Sequence, residues 1–341
     1  MKFDAALTLE TPRLADAAAI AQAAEQIGFA GLWTQETQHN PFLPLAQAAG
    51  STSRIELGTA VAIAFARSPM VTAQIAWDLQ ALTRGRFVLG LGTQVKPHIE
   101  RRFGMPWEAP VAKLRDYLQA LRAIWTSWQT GQRLAYRGKF YEHTLMTPFF
   151  NPGPIDHPHI PVYIAGVNEG LARLAGELCD GFHVHPFHTI RYLEQIVRPQ
   201  VAAGAAEAGR SLSDVALTSS VFVITGPNSA AMDATRQMAR QQIAFYASTP
   251  TYRVVLECHG WEGVGEELSR LAKNGEWAAM GGLISDEMLE VFAVEAPLDR
   301  LGAALKRRYT GALDRIACYL PYMPGELDDA WRAIAAEIHA E

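Results

Sequence analysis

The chain has 341 residues, of which 49% are hydrophobic and 19% are charged, and its formal net charge is −5. This composition suits a globular protein with a large core, and it offers no basic stripe to a nucleic acid. No segment approaches the roughly 18 unbroken apolar residues of a membrane span, and the first residues lack a signal-peptide pattern. We therefore expect a cytoplasmic protein with a small-molecule substrate and neither nucleic-acid nor membrane partners.

Four strands are predicted in the first 130 residues, with helical patterns between them. The first helix is predicted to have Thr11 as its N-cap, Pro12 at its first position and Gly28 at its end. Ser68 and Pro69 begin another helix. The strands are predicted at Phe3–Leu7, 31–36, 54–63 and 86–92, and a long amphipathic helix follows over Val111–Trp125.

The second half of the chain begins with an interruption of this alternation. Residues 131–161 are rich in glycine, proline, histidine and aromatic residues, which predicts an ordered insertion that could form a lid over a substrate. Asn168 caps the next helix, and residues 228–309 hold several helical stretches. The remaining strands are predicted at 162–166, 180–185, 215–225 and Ile316–Leu320, and a helix closes the chain.

Eight strands, most of them followed by a helix, indicate a parallel sheet. Eight is the number of strands that closes a (β/α)8 barrel, which we favour over an open, doubly wound sheet. The stretch GLGTQV at residues 90–95 lacks the third glycine of a dinucleotide-binding turn. We expect one α/β domain over residues 1–341, a (β/α)8 TIM barrel with the insertion between helix 4 and strand 5 and extra helices before strand 8.

Small residues recur at three neighbouring strand ends, where a barrel places its chemistry. They are Ala60 after strand 3, Gly90 and Gly92 in strand 4, and Ala165 and Gly166 at the end of strand 5. Each one alone is consistent with a tight backbone turn, but together they predict a flat slot for a planar ring. The stretch AGVNEGLARLAG then leads from glycine into a helix N-terminus, which suits a phosphate. A phosphorylated, flavin-like cofactor would match both features.

At these positions the chain resembles the bacterial luciferase-like superfamily, in particular its branch that uses the deazaflavin coenzyme F420. The similar stretches span most of residues 1–190 and are AEQIGFAGLWTQETQH, RIELGTAVAIAFARSPMVTAQIAWDLQALTRGRFVLGLGTQV, LRDYLQALRAIW, YRGKFYEHT and PVYIAGVNEGLARLAGELCDGF. The resemblance implies a homodimeric (β/α)8 barrel. It also implies an oxidoreductase that moves a hydride between the deazaflavin and a small or medium organic substrate.

The resemblance also implies which residues bind the cofactor. A non-prolyl cis peptide between Ala60 and Val61 would back the ring. The other contacts that it implies are Thr93 and Gln94 beside the ring or its side chain, and Gly166, Val167 and Asn168 at the phosphate.

The chain departs from the F420-using sugar-phosphate dehydrogenases of this superfamily at two positions. Those enzymes have Asp-His after strand 2, where this chain reads ETQHNPF, so that His39 matches only with a shift of one residue. They also have a glutamate two residues after the threonine of GTGE, where this chain has Val95. Their substrate and proton donor therefore do not carry over.

His39 and Glu36 are the catalytic candidates, since an imidazole titrates near neutral pH and a carboxylate can accept a proton. A structural histidine and a salt bridge are the alternatives for them. His98 is predicted either at the edge of the ring, as a cofactor contact, or at the protein surface. His185 is predicted at the rim of the pocket, as a cofactor contact. Arg67 is predicted either to meet an anion of the cofactor or to form an ion pair at the start of a helix.

Other functions remain open from the sequence. An FMN-dependent monooxygenase of the same superfamily would use reduced flavin to trap oxygen. A non-catalytic protein that binds a flavin or F420 would also fit the missing glutamate. His183 and His185 share one face of strand 6, as metal-chelating pairs do, but the further ligands of a metal-dependent barrel hydrolase are not found, so no metal is expected.

Overall fold

The computed structural model describes residues 1–7, 14–325 and 327–340. Eight parallel strands pair in chain order, and the last of them pairs with the first, which closes a barrel. The (β/α)8 barrel predicted from the sequence is confirmed. The strands are β1 Lys2–Leu7, β2 Gly31–Thr34, β3 Glu56–Thr59, β4 Phe87–Gly92, β5 Val162–Gly166, β6 Gly181–Val184, β7 Ala216–Ile224 and β8 Arg315–Cys318.

Ten helices of ten or more residues occur in the described part of the chain. None of them is both long enough and apolar enough to span a membrane. They are α1 Ala17–Ile27, α2 Phe42–Ser51, α3 Pro69–Leu82, α4 Pro110–Thr130, α5 Glu169–Leu178, α6 Arg198–Glu207, α7 Ser229–Ala247, α8 Glu262–Asn274, α9 Leu298–Tyr309 and α10 Asp328–His339. Shorter helices lie at Arg253–Glu257, Trp277–Met280 and Asp286–Phe292, and short strands at Ala62–Ile63, Tyr136–Arg137, Glu142–His143 and Ala293–Glu295.

Local signals explain several of the helix ends. The Ser68 hydroxyl accepts a hydrogen bond from the N–H of Val71 and caps α3, and α1 ends at Gly28, whose φ of 102° is left-handed. The predicted Thr11 cap and Pro12 lie outside the described residues. No helix was predicted between strands 2 and 3, where α2 lies.

An ion cluster fills the barrel near the amino ends of its strands. The guanidinium of Arg315 donates two hydrogen bonds of 2.8 Å to the carboxylate of Asp4, and it also pairs with Glu56. Both Asp4 and Arg315 are buried, and the guanidinium lies 5.0 Å from the ring centroid of Trp33. Trp33 therefore separates this cluster from the space at the other end of the barrel.

The insertion 131–161 packs beside the barrel. The indole N–H of Trp77 in α3 donates to the carbonyl of Gly153 at 3.2 Å, and the Gln80 amide donates to the carbonyl of His159 at 2.8 Å. In α4, the carboxylate of Asp116 accepts a hydrogen bond from the N–H of Tyr141. These contacts hold the insertion against α3 and α4.

Candidate functional site

A cavity of about 710 Å³ opens at the carboxyl ends of the barrel strands. Its volume lies in the range that small-molecule and cofactor sites occupy. Trp33 and His183, the second-last residues of β2 and β6, line the cavity. Tyr246, near the end of α7, also lines it. The cavity therefore lies where a (β/α)8 barrel places its active site.

The helical region before β8, and not the insertion, reaches this cavity. Tyr246 at the end of α7 and Tyr252 in the turn after it line the cavity, whereas no residue of 131–161 does. The hydrogen bonds of the insertion run to the sides of α3 and α4. These contacts favour packing of 131–161 against the barrel, and a lid formed by this insertion stays a prediction.

The chain leaves β3 through a cis peptide bond between Ala60 and Val61. This is the bond that the resemblance implied. Main-chain bonds to the end of β2 fix the turn: the N–H of Ala60 donates to the Thr34 carbonyl at 2.7 Å, and the N–H of Glu36 donates to the Val61 carbonyl at 3.2 Å. Ala60 and Val61 both line the cavity, so this wall consists of main chain and short side chains.

Packing within the protein is sufficient to explain the glycines of β4. A Cβ atom on Gly90 would overlap the carbonyl oxygen of Thr59, and one on Gly92 would lie 2.6 Å from Cγ2 of Val61. These two glycines are therefore not by themselves evidence for an approaching ring. The ends of β3, β4 and β5 nevertheless line an open cavity, as the predicted slot requires.

Thr93 and Gln94 follow β4 and line the cavity. Their contact with a cofactor ring stays a prediction. The Thr93 hydroxyl donates to the carbonyl of Gln94 at 3.1 Å, and the Gln94 side-chain oxygen accepts from the N–H of Val95 at 3.0 Å. Gln94 has a φ of 60°, which is uncommon for a residue with a side chain. The two polar side chains are thereby held at the cavity wall beside Gly92.

The turn from β5 into α5 forms the next part of the wall. Gly166, Val167 and Asn168 all line the cavity, and their contact with a phosphate stays a prediction. The Asn168 side chain caps α5 by accepting a hydrogen bond of 3.0 Å from the N–H of Leu171. The first turn of a helix presents backbone N–H groups and the positive end of the helix dipole, which together favour an anion. The hydroxyl of Tyr192 donates to the Val167 carbonyl at 2.8 Å and fixes this turn.

Glu36 lines the cavity but is engaged in a buried ion pair with Arg67. Each carboxylate oxygen accepts a hydrogen bond of 2.7 Å from the Arg67 guanidinium, and one also accepts from the N–H of Ile63 at 2.6 Å. The exposed fractions of the two side chains are only 7% for Glu36 and 13% for Arg67. These contacts are the salt bridge that the sequence left as an alternative. They favour a role for Glu36 in joining the loops after β2 and β3, and not in proton transfer.

The structure does not bring His39 or His98 to the cavity. Both residues are exposed, and neither is among the lining residues. The loop after β2 is fixed at Glu36 and then turns outward, and Asn40 caps the N–H of Phe42 where α2 begins. The assignments of His39 as catalytic and of His98 as a cofactor contact therefore stay predictions that no contact in this structure supports.

His183 and His185, at and just beyond the end of β6, line the cavity as neutral imidazoles. The pKa of each is lowered to about 3, mainly by burial and, for His183, also by the nearby charge of Arg315. The ring of His185 stacks on Tyr252 with centroids 4.4 Å apart and meets Tyr246 edge-on at 4.6 Å. At neutral pH these rings carry no charge, so they do not act as general acids there.

Three tyrosines of the cavity wall were not predicted from the sequence. They are Tyr246, Tyr252 and Tyr319, and the hydroxyl oxygens of Tyr246 and Tyr319 lie 2.6 Å apart. The stretch FYASTPTY at residues 245–252 could have indicated Tyr246 and Tyr252. It lies between β7 and β8, in a region too long for one barrel helix, so part of this region was available to reach the strand ends.

No group of three or more His, Cys, Asp or Glu side chains among the described residues is arranged to hold a metal ion. His183 and His185 do share the wall at β6, but each has aromatic neighbours: Trp33 meets His183 edge-on at 5.2 Å, and Tyr252 stacks on His185. The chemistry of the cavity wall thus suits an organic ring.

Comparisons with known proteins identify the family of the chain and several relatives. Residues 1–315 match the family model described as luciferase-like monooxygenase. An uncharacterized protein of Mycobacterium bovis is 49% identical over 316 residues, which cover 93% of this chain and 92% of that protein. The 5,10-methylenetetrahydromethanopterin reductase of Archaeoglobus fulgidus is 29% identical over 287 residues, covering 81% of this chain and 80% of the reductase.

A solved structure shows the same fold. It is the coenzyme F420 dependent tetrahydromethanopterin reductase from Methanopyrus kandleri, with a TM-score of 0.79 and 21% identity over 99% of this chain and 98% of that one. The family match includes β1 to β7 and reaches the first residue of β8. Because it thus covers nearly the whole barrel, this chain belongs to the luciferase-like monooxygenase family.

Proposed function

We propose that the protein is an oxidoreductase that binds coenzyme F420 at the ends of β3, β4 and β5. The observation that carries this proposal is that one cavity joins a wall of main chain at Ala60 and Val61 to the N-terminus of α5 at Asn168. The wall of main chain suits a flat tricyclic ring, and the helix N-terminus suits the phosphate of the cofactor. Relatives named as F420-dependent or as methanopterin reductases support this cofactor over FMN.

Bound F420 would supply a ring that accepts or donates a hydride, which carries two electrons and one proton. The residues of this chain would position it. Ala60 and Val61 would support one face of the ring, Thr93 and Gln94 would contact its edge or side chain, and Asn168 would hold the phosphate at α5. The neutral imidazole of His185 would line the part of the cavity opposite the ring, where the organic substrate would bind. A homodimer, a small-molecule substrate and a cytoplasmic location remain proposals that the resemblance and the composition suggest.

Cofactor titration tests the proposal directly. We expect F420 fluorescence to be quenched on binding, with a dissociation constant in the micromolar range or below, and FMN to bind at least ten times more weakly. Reduced F420 should then be oxidised by a substrate at the same rate with and without oxygen. Preferential binding of FMN with consumption of oxygen would favour the monooxygenase alternative. Failure of both cofactors to bind would contradict the proposal.

Tyr192→Phe should weaken F420 binding about 2- to 10-fold, since it removes one hydrogen bond that orients the site. The Val167 carbonyl and the Asn168 N–H belong to one planar peptide and point in opposite directions, so the bond from Tyr192 fixes the direction of that N–H. The control is Tyr322→Phe, which removes the hydroxyl that donates to Asp328, outside the cavity. Equal F420 affinities in the two variants would argue against a phosphate site at this turn.

A further inference from the structure

The half of the cavity opposite the proposed ring site is built from aromatic side chains. We call this part the tyrosine end and define it as His185, Tyr246, Tyr252 and Tyr319. The rings of His185 and Tyr252 stack at 4.4 Å, Tyr246 stands edge-on to both, and its hydroxyl lies 2.6 Å from that of Tyr319. His185 follows β6, Tyr246 and Tyr252 lie at and after the end of α7, and Tyr319 follows β8. They therefore surround the end of β7, which lies across the barrel from β3.

The charges of the cavity are confined to its other half. Among the described residues that line it, Lys96 is the only lysine or arginine, and it follows β4, on the far side from β8. Its amino group is exposed and lies 3.8 Å from Glu100. Arg67 forms an ion pair with Glu36, and the imidazole of His185 stays neutral. An anionic group placed at the tyrosine end would therefore lose its hydration without gaining a counter-ion.

We infer that the tyrosine end is the subsite for the organic substrate and that it selects an uncharged molecule with a planar, unsaturated ring. This inference rests on the proposed function, because it assigns the other half of the cavity to the cofactor. Aromatic side chains favour stacked and edge-on contacts with flat rings, and a wall that supplies hydroxyl groups but no cation disfavours phosphates and carboxylates. The sugar phosphates used by some members of the superfamily are thereby excluded at this subsite.

Three aldehydes of similar size test the two parts of this inference. They are benzaldehyde, which is planar and uncharged, 4-formylbenzoate, which is planar and anionic, and cyclohexanecarbaldehyde, which is uncharged but not planar. Ligand-observed NMR titrations use the full-length protein loaded with oxidised F420, so that no hydride is available. We expect benzaldehyde to bind at least ten times more tightly than 4-formylbenzoate and about three times more tightly than cyclohexanecarbaldehyde. Equal or tighter binding of 4-formylbenzoate would overturn the inference.

Substitutions inside and outside the tyrosine end test whether benzaldehyde binds there. Tyr252→Leu should weaken benzaldehyde binding about 3- to 10-fold and leave F420 affinity unchanged, because it removes the ring that stacks on His185. The matched control is Phe149→Leu, an aromatic residue that is 88% exposed on the insertion and outside the cavity. If Tyr252→Leu does not fold, Tyr246→Phe, which keeps the ring but removes the hydroxyl, should preserve the preference for benzaldehyde over 4-formylbenzoate. Loss of benzaldehyde affinity in the control alone would place the site elsewhere and overturn the inference.

Failure of this inference differs from failure of the proposed function. If F420 does not bind, the proposed function is wrong, and the same aldehyde titrations on cofactor-free protein still report on the tyrosine end. If F420 binds but the aldehydes are not discriminated, the cofactor assignment stands and the substrate class is wrong.

Discussion

Gly90→Ala is expected to lower the free energy of unfolding by about 3 kcal/mol, near the upper end of the usual cost of overpacking a core. The added Cβ would overlap the carbonyl oxygen of Thr59 and lie 2.9 Å from Nε2 of His183. The strands cannot separate cheaply, because the Thr59 hydroxyl accepts from the N–H of Gly90 at 2.9 Å and donates to its carbonyl at 2.6 Å. Urea unfolding monitored by circular dichroism measures the change.

Gly50→Ala provides the matched control. Gly50 lies in α2, and a Cβ there has no atom within 4 Å. Alanine costs less backbone entropy than glycine in a helix, so this variant should keep or gain stability, by up to about 1 kcal/mol. A Gly90→Ala protein as stable as wild type would show that β3 and β4 can move apart at Thr59, contrary to the packing described here.

The barrel was predictable because its signal is carried by many residues. Eight apolar strand patterns and the helix signals between them all favour the same fold, so an error in one element changes little. The strand at Glu56–Thr59 shows the limit of this reasoning. The sequence predicted one strand over 54–63, whereas the backbone breaks at Ala60–Val61 before the short strand Ala62–Ile63 pairs with β4. Only the resemblance indicated that break.

The site was predictable where a residue's place follows from the strand that it ends. Thr93 and Asn168 line the cavity for this reason. The direction of a loop depends instead on contacts between distant parts of the chain. Glu36 pairs with Arg67, 31 residues away, and this pair turns the loop so that His39 is exposed. Tyr319 meets Tyr246 across 73 residues, a contact that no local pattern encodes.

Acid should destabilise the folded protein at a higher pH than its carboxylates alone would require. The pKa is lowered to about 3 for His183 and His185 and to about 4 for His188, mainly by burial and in smaller part by the nearby charges of Arg315 at His183 and Arg308 at His188. In the unfolded chain a histidine takes up a proton near pH 6.5. Below that pH the unfolded state binds more protons than the folded state, so stability falls as the pH is lowered.

Between pH 6.5 and pH 5 each of these three histidines should remove about 1.5 kcal/mol from the free energy of unfolding. Urea unfolding at several pH values in this window measures the loss, and the window lies above the range in which most carboxylates titrate. His188→Asn should reduce the loss by about one third, because the amide can replace Nδ1 as the donor to the His185 carbonyl and carries no titratable proton.

His39→Gln is the control, since it removes an imidazole from an exposed loop outside the cavity, and its pH profile should match that of the wild type. A wild-type stability that stays constant from pH 6.5 to pH 5 would mean that His183, His185 and His188 accept protons in the folded state. The wall of the cavity at β6 would then carry positive charge in mild acid, and the preference of the tyrosine end for uncharged substrates would be confined to neutral and alkaline pH.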